Sequence, residues 1–185
     1  MVKTDINILM KEDIWNLIGK QWMLVTAGSL DSFNTMTASW GGIGWLWNKP
    51  VAFVFIRPER YTHQFVEGNE YLTLSFFDEQ YRKALQICGT TSGRDCNKVQ
   101  QAELTPEAFK ADATTFSQAR LTLLCRKLFK TPMTEQAFLD KDIRSPKSVN
   151  VHPTAPKYYV NSLEGSRTVV YNIETGEKLK VISHQ

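Results

Sequence analysis

Two stretches of the chain are suited to an anion and a third to a flat aromatic ligand. In Arg57-Pro-Glu-Arg-Tyr-Thr62 two arginines precede the expected start of a short helix. Arginine grips phosphate through two parallel hydrogen bonds, and the free N–H groups at a helix start add partial positive charge. The same arginines suit surface ion pairs with Glu59 and Glu67 equally well. Ser92-Gly-Arg-Asp-Cys-Asn-Lys98 adds a hydroxyl and two more cations, although taken alone it reads as a capped turn. Asn34 to Pro50 holds three tryptophans and three glycines behind a run of small hydroxyl residues. Glycine lets a ligand approach the backbone closely, while Thr37 and Ser39 offer hydrogen bonds to a polar edge. The alternative is a glycine-rich hairpin with its tryptophans buried in the core.

Other chemistries lack their residues. The Gly-x4-Gly-Lys-Ser/Thr spacing of a P-loop does not occur, and Gly42 with Gly44 supplies only part of a dinucleotide fingerprint. The histidines, His63, His152 and His184, are scattered, and no Gly-x-Ser-x-Gly or His-Glu-x-x-His is found. Cys88, Cys96 and Cys125 are too few and too irregularly spaced for a disulfide framework or a zinc site. With no signal peptide at Met1, they point to a reducing cytoplasm. No apolar run reaches the roughly 18 residues of a membrane span.

At 185 residues, 42% hydrophobic and 22% charged, the chain suits one domain, or one with an appendage. Residues 1–140 carry 15 basic and 15 acidic side chains, and residues 141–185 carry seven and four, so the whole net charge of +3 lies in the tail. Nothing resembles a basic stripe for nucleic acid.

The elements that must position these residues are mostly short strands. The pattern predicts a helix over 10–19, with Ile14, Trp15, Leu17 and Ile18 on one face and Gly19 as its stop. Strands are expected at Trp22–Ala27, Phe33–Trp40, Val51–Ile56, Tyr71–Phe77 and Leu121–Phe129, with a glycine loop after Trp40. Thr62 is the expected cap of a helix through Phe65 and Val66, and Asp78 of a helix through Tyr81, Leu85 and Ile87 that ends at Gly89. A weak helix follows Lys98, and Thr134 could cap a short one ending near Leu139. Many strands with isolated helices between them suggest a mainly β fold, a barrel with short helices attached.

Taken together, the segments resemble the flavoredoxin branch of the flavin reductase-like, FMN-binding split-barrel family. The resemblance runs from about Trp22 to about Pro132. It rests on Asn34-Thr-Met-Thr-Ala-Ser-Trp-Gly-Gly, Trp47-Asn-Lys-Pro50, Phe55-Ile-Arg-Pro-Glu-Arg-Tyr-Thr62, Leu74-Ser-Phe-Phe77 with Tyr81-Arg-Lys-Ala-Leu85, and Cys88-Gly-Thr-Thr-Ser-Gly-Arg-Asp95 with Lys98. It implies a homodimeric split β-barrel that binds FMN without a covalent bond. Asn34, Met36, Thr37, Ala38, Ser39 and Trp40 would lie along the isoalloxazine and ribityl chain. Arg57, Arg60, Tyr61 and Thr62 would surround the phosphate, with Ser92 and Lys98 approaching from the next loop. The implied reaction is hydride transfer from NADH or NADPH to the flavin, or electron exchange with a redox protein. Such chemistry belongs to the cofactor and needs no catalytic His, Cys or Asp cluster. A flavin-free barrel that only binds a partner is the alternative.

The split-barrel domain is expected over 1–140 and a divergent β-rich tail over 141–185. Tyr158–Leu163, Arg167–Ile173 and Lys178–Ile182 read as a three-strand meander with glycine turns, resembling one blade of a Tyr-Val-Thr-Asn-type β-propeller. A lone blade cannot bury its faces. Either these strands complete the barrel or the tail is an appendage.

Overall fold

Along the strand at Met23–Ser29 (β1) the side chains alternate between two apolar environments, so both of its faces are covered. Met23, Val25 and Ala27 enter one cluster with Met36, Ala38, Val54, Ile56, Leu74 and Leu123. Leu24 enters another with Leu85, Cys88 and Phe116. The first cluster is the inside of a curled sheet and the second lies between that sheet and the helices outside it. The computed structural model describes residues 6–139, 157–171 and 178–181.

After β1 come β2 (Ser32–Ala38), β3 (Gly41–Leu46) and β4 (Lys49–Ile56). Ahead of them a three-residue helix α1 (Ile14–Asn16) runs into a π-turn at Leu17–Gln21. Then follow α2 (Thr62–Gly68), β5 (Tyr71–Phe76), α3 (Arg82–Thr90), α4 (Lys98–Gln101), the small hairpin β6 (Pro106–Ala108) with β7 (Thr114–Phe116), β8 (Leu121–Pro132), β9 (Lys157–Tyr171) and β10 (Lys178–Val181). The main sheet is antiparallel, in the order β2-β1-β5-β8-β9-β4-β3, with β10 on β9. Core residues from β1 and β2, at one end of this order, share a cluster with residues from β4 near the other end. The sheet therefore curls around that core. The fold is mainly β with short helices attached, as the sequence pattern predicts.

Four expectations need correction. The helix over 10–19 is broken into a 3-10 turn at Ile6–Lys11, α1 and the π-turn. Asp13 caps α1 by accepting from the N–H groups of Trp15 and Asn16, and Trp15 faces solvent while Leu17 and Ile18 are buried. The glycine loop is strand β3. Its turn into β4 is made by Trp47 and Asn48, both at positive φ (53° and 55°), the backbone that tight hairpins favour. The ring of Phe53 lies across Gly42 and Gly44. These tryptophans are not core residues: Trp40 is 53%, Trp45 71% and Trp47 54% exposed. Third, the β6–β7 hairpin has no counterpart in the sequence pattern. It is docked by buried hydroxyls, with Thr73 donating to the Thr114 carbonyl and Thr115 bonded to Ser75 and Thr122.

The fourth correction concerns the tail. Residues 157–171 form one long strand rather than two joined by a glycine turn, and Gly165 sits within it opposite Leu124. β9 pairs with β4 along Lys157–Ser162 and with β8 along Lys157–Thr168, and two register shifts on the β8 side bend it to serve both. Lys178–Val181 does pair with Val169–Tyr171, as the meander expects, but the propeller-blade resemblance is not supported, because Tyr158–Leu163 runs straight on into Arg167–Tyr171 instead of folding back on it and lies between two strands of the barrel sheet. Ile173 and Ile182, which the meander included, lie outside the described residues.

Candidate functional site

The two anion-suited stretches meet at one end of the sheet, where β2, the start of α2 and the loop before α4 converge. Arg57 to Arg60 is a tight turn closed by the Arg60 N–H on the Arg57 carbonyl at 3.1 Å. Pro58 presets it, since its fixed φ suits the second position of such turns. Thr62 is not the cap of α2. It is the first helical residue, is fully buried, and its Oγ1 accepts from Asn34 Nδ2 at 2.9 Å. That bond ties β2 to α2 across the barrel end.

The 92–97 loop lies directly on this junction. A Cβ on Gly93 would stand 2.3 Å from Asn34 Oδ1 and 3.3 Å from the Tyr61 ring, so only glycine fits without displacing them. Ser92 Oγ accepts from the Arg94 N–H, and Asn97 caps α4 by accepting from Gln100. The Arg94 guanidinium stacks on the Tyr61 ring at 4.7 Å and donates to the Glu59 carbonyl at 3.2 Å. Beside the loop is a cleft of about 770 Å³, whose lining includes Asn34, Tyr61, Phe65, Gly93, Arg94 and Lys98.

Two cations close the far side of the junction on the C-terminus of α3. Arg60 donates to the carbonyls of Gly89 (2.6 Å) and Cys88 (3.3 Å). Lys98, only 3% exposed, donates to those of Cys88 and Thr91, both at 3.4 Å. The end of a helix carries partial negative charge, which favours both. Among the described residues neither cation forms a salt bridge with a carboxylate, so the pair keeps net positive charge. Burial, and then the neighbouring Arg57, lowers the pKa of Arg60. Burial pushes Lys98 down to about 8, against the opposing pull of Cys88 and with a further push from Arg60. Burial also raises the Cys88 thiol to about 11, so it stays protonated at neutral pH.

A pH dependence follows. Between about 8 and the ordinary lysine value of 10.5 the unfolded chain keeps a proton that folded Lys98 releases. Stability contributed at this site therefore rises with pH through that window, by at most about 3 kcal/mol. An anion bound beside Lys98 would favour the charged amine, so its affinity should fall as pH rises above 8. Lys98→Met is expected to flatten both trends, and melting curves and anion titrations from pH 7 to 10.5 check this. Equal pH slopes in the variant and the parent would refute it.

The other predicted residues divide. Met36 and Ala38 turn into the barrel core, so only their backbone could meet a ligand. Thr37 lies on the opposite face of β2 from Asn34, and its hydroxyl donates to the Leu85 carbonyl. Ser39 is half-buried and Trp40 exposed just beyond β2, and Arg57 is exposed. Asn34, Arg60, Tyr61, Thr62, Ser92 and Lys98 are brought together. Among the described residues the salt bridges of Glu67 are to Lys130 and His63, not to the arginines as the alternative reading has it. Gly93 and Arg94 were not singled out from the sequence, although the Ser92-Gly-Arg segment contains both. Among the described residues no group of three or more His, Cys, Asp or Glu could hold a metal ion, and no helix is long and apolar enough to cross a membrane.

Comparison with known proteins matches residues 15–139 to the flavin reductase like domain. No curated protein matches the chain. Among solved structures, a flavoredoxin from Methanosarcina acetivorans superposes with a TM-score of 0.64 at 17% identity, covering 83% of this chain and 72% of that one. An FMN-binding protein from Thermus thermophilus with bound p-hydroxybenzaldehyde gives 0.61 at 17% identity, covering 80% and 70%. A Streptomyces globisporus NADH:FAD oxidoreductase in complex with NAD and FAD fragments gives 0.58 at 12% identity, covering 79% and 73%. These likenesses establish the split-barrel fold.

Proposed function

The chain belongs to the flavin reductase-like family, and from that premise we propose that it is an FMN-binding oxidoreductase using NADH or NADPH. The observation that carries this reading is the pair of half-buried Arg60 and buried Lys98, which has no carboxylate partner among the described residues and adjoins a cleft walled by Tyr61 and Asn34. A doubly charged phosphate ester supplies the missing anion. Arg60, Lys98 and the exposed Arg57 hold the phosphate, aided by Tyr61, Thr62 and Ser92. The backbone from Met36 to Trp40 follows the flavin, with Asn34 offering a polar contact from the cleft face of β2 and Ser39 one just beyond the strand, while Thr37, on the other face, is held by the Leu85 carbonyl. Bound FMN supplies the hydride and electron chemistry, and the chain supplies position and charge.

The nicotinamide assignment draws on the Streptomyces relative, an NADH:FAD oxidoreductase in complex with NAD and FAD fragments. A second copy of the chain would cover the apolar surface at Trp45, Trp47 and Phe129, where Trp47 and Phe129 meet edge to face. The cytoplasm suits its three free cysteines.

Protein made with ample riboflavin should elute from gel filtration as a yellow dimer, release FMN on denaturation, and bleach on mixing with NADH or NADPH. Colourless protein that does not retain added FMN would overturn the reading. Yellow protein that neither nicotinamide bleaches would leave an electron carrier serving a redox protein.

A further inference from the structure

Arg94 is not among the residues that the resemblance assigns to the cofactor, yet it holds an exposed segment of that site in place. The loop is fastened at two points. At its C-terminal end Lys98 anchors it to the last turn of α3. Near its start the fastening is Arg94, which reaches across to the 59–61 segment. Immediately before Arg94, Gly93 rests on Asn34 and Tyr61 at a distance that leaves no room for a Cβ. Below it the Asn34–Thr62 bond is buried. Releasing Arg94 would let the loop rise from the junction while Lys98 still held its other end.

We propose that Arg94 is a positioning residue of the cofactor site: it clamps the 92–97 loop onto the start of α2 and thereby sets how long a ligand bound beneath or beside the loop is held. This assignment rests on the flavin reading for its ligand, but the clamp itself is a property of the chain alone. Its chemistry is specific to arginine. A planar guanidinium can lie on the Tyr61 ring and direct an N–H at the Glu59 carbonyl at once. A lysine ammonium in the same place supplies the charge without the plane.

The experiment has two arms. In the first, hydrogen exchange is followed by mass spectrometry on the protein without added ligand. Arg94→Ala should speed exchange in the 92–97 loop, and Arg94→Lys should restore less than half of the protection. Tyr61→Leu should act like Arg94→Ala, and the double variant should add little to either. Unchanged exchange in Arg94→Ala, or full rescue by lysine, overturns the clamp.

In the second arm, dissociation rates are measured for FMN and for riboflavin, which lacks the phosphate. Acting only through the loop, the loss of Arg94 should raise both rates by the same factor, roughly threefold to tenfold. A rise confined to FMN would make Arg94 a direct phosphate ligand and overturn the positioning role. Failure of the parent protein to retain either flavin would sink the proposed function, while the exchange arm would still decide the clamp.

Discussion

Ending the chain after Leu139 is expected to yield a polypeptide without a cooperative unfolding transition. β9 lies in the sheet between β8 and β4, paired with β4 from Val51 to Ile56 and with β8 from Leu121 to Pro132. Its removal leaves two interior strands with open edges and separates the β3–β4 hairpin from the other strands of the sheet. At about 1 kcal/mol net for each ladder hydrogen bond, the loss is comparable to the roughly 5–15 kcal/mol that holds a whole domain folded. Circular dichroism melts of the full chain and of residues 1–139, each in the presence and absence of FMN, check this. A truncated chain that melts as sharply and as high as the parent would show that residues 141–185 are an appendage, and would refute the view that they complete the barrel.

The largest effect of a single side chain is expected at Arg60. Its guanidinium meets two carbonyls at the end of α3 while half-buried beside Lys98 and Arg57. Arg60→Ala leaves those carbonyls short of a donor and removes a cation from the proposed phosphate site. Charged hydrogen bonds contribute about 1.5–3 kcal/mol each. FMN affinity should therefore fall by roughly tenfold to 150-fold, and the protein without flavin should lose about 1.5–3 kcal/mol of stability. The two readouts separate the roles. If the melt is lowered but the FMN dissociation constant is unchanged, Arg60 only caps α3 and the phosphate is held elsewhere. Arg60→Lys should recover part of the affinity, since it keeps the charge but reaches two carbonyls less well.

Much of the site was legible in the chain because its chemistry is concentrated in two short runs. Arg57-Pro-Glu-Arg shows a turn bearing two cations, and Ser92-Gly-Arg-Asp-Cys-Asn-Lys98 shows a polar turn bearing two more. Neither run shows what its side chains touch. Arg60 and Lys98 lie far apart in sequence, and both end on α3 because the barrel brings the 57–61 turn, the end of α3 and the start of α4 to one place. Thr62 has the residue type of a helix cap, but Asn34 reaches it across the barrel end, and that contact between distant segments prevailed over the local preference.

The residues by themselves determined the strand-rich character of the fold and the positions of the two cationic runs, because period-two apolar patterns and turn residues act over a few neighbours. Only the tertiary structure decided that the glycine-rich stretch pairs as a strand with its tryptophans outside, and that Met36 and Ala38 face the core while Thr37 faces α3. The same holds for the tail, whose strand β9 takes its place by pairing with β4 and β8. Strand pairing and burial depend on which distant segment lies alongside, and a single stretch of sequence carries no record of its neighbour.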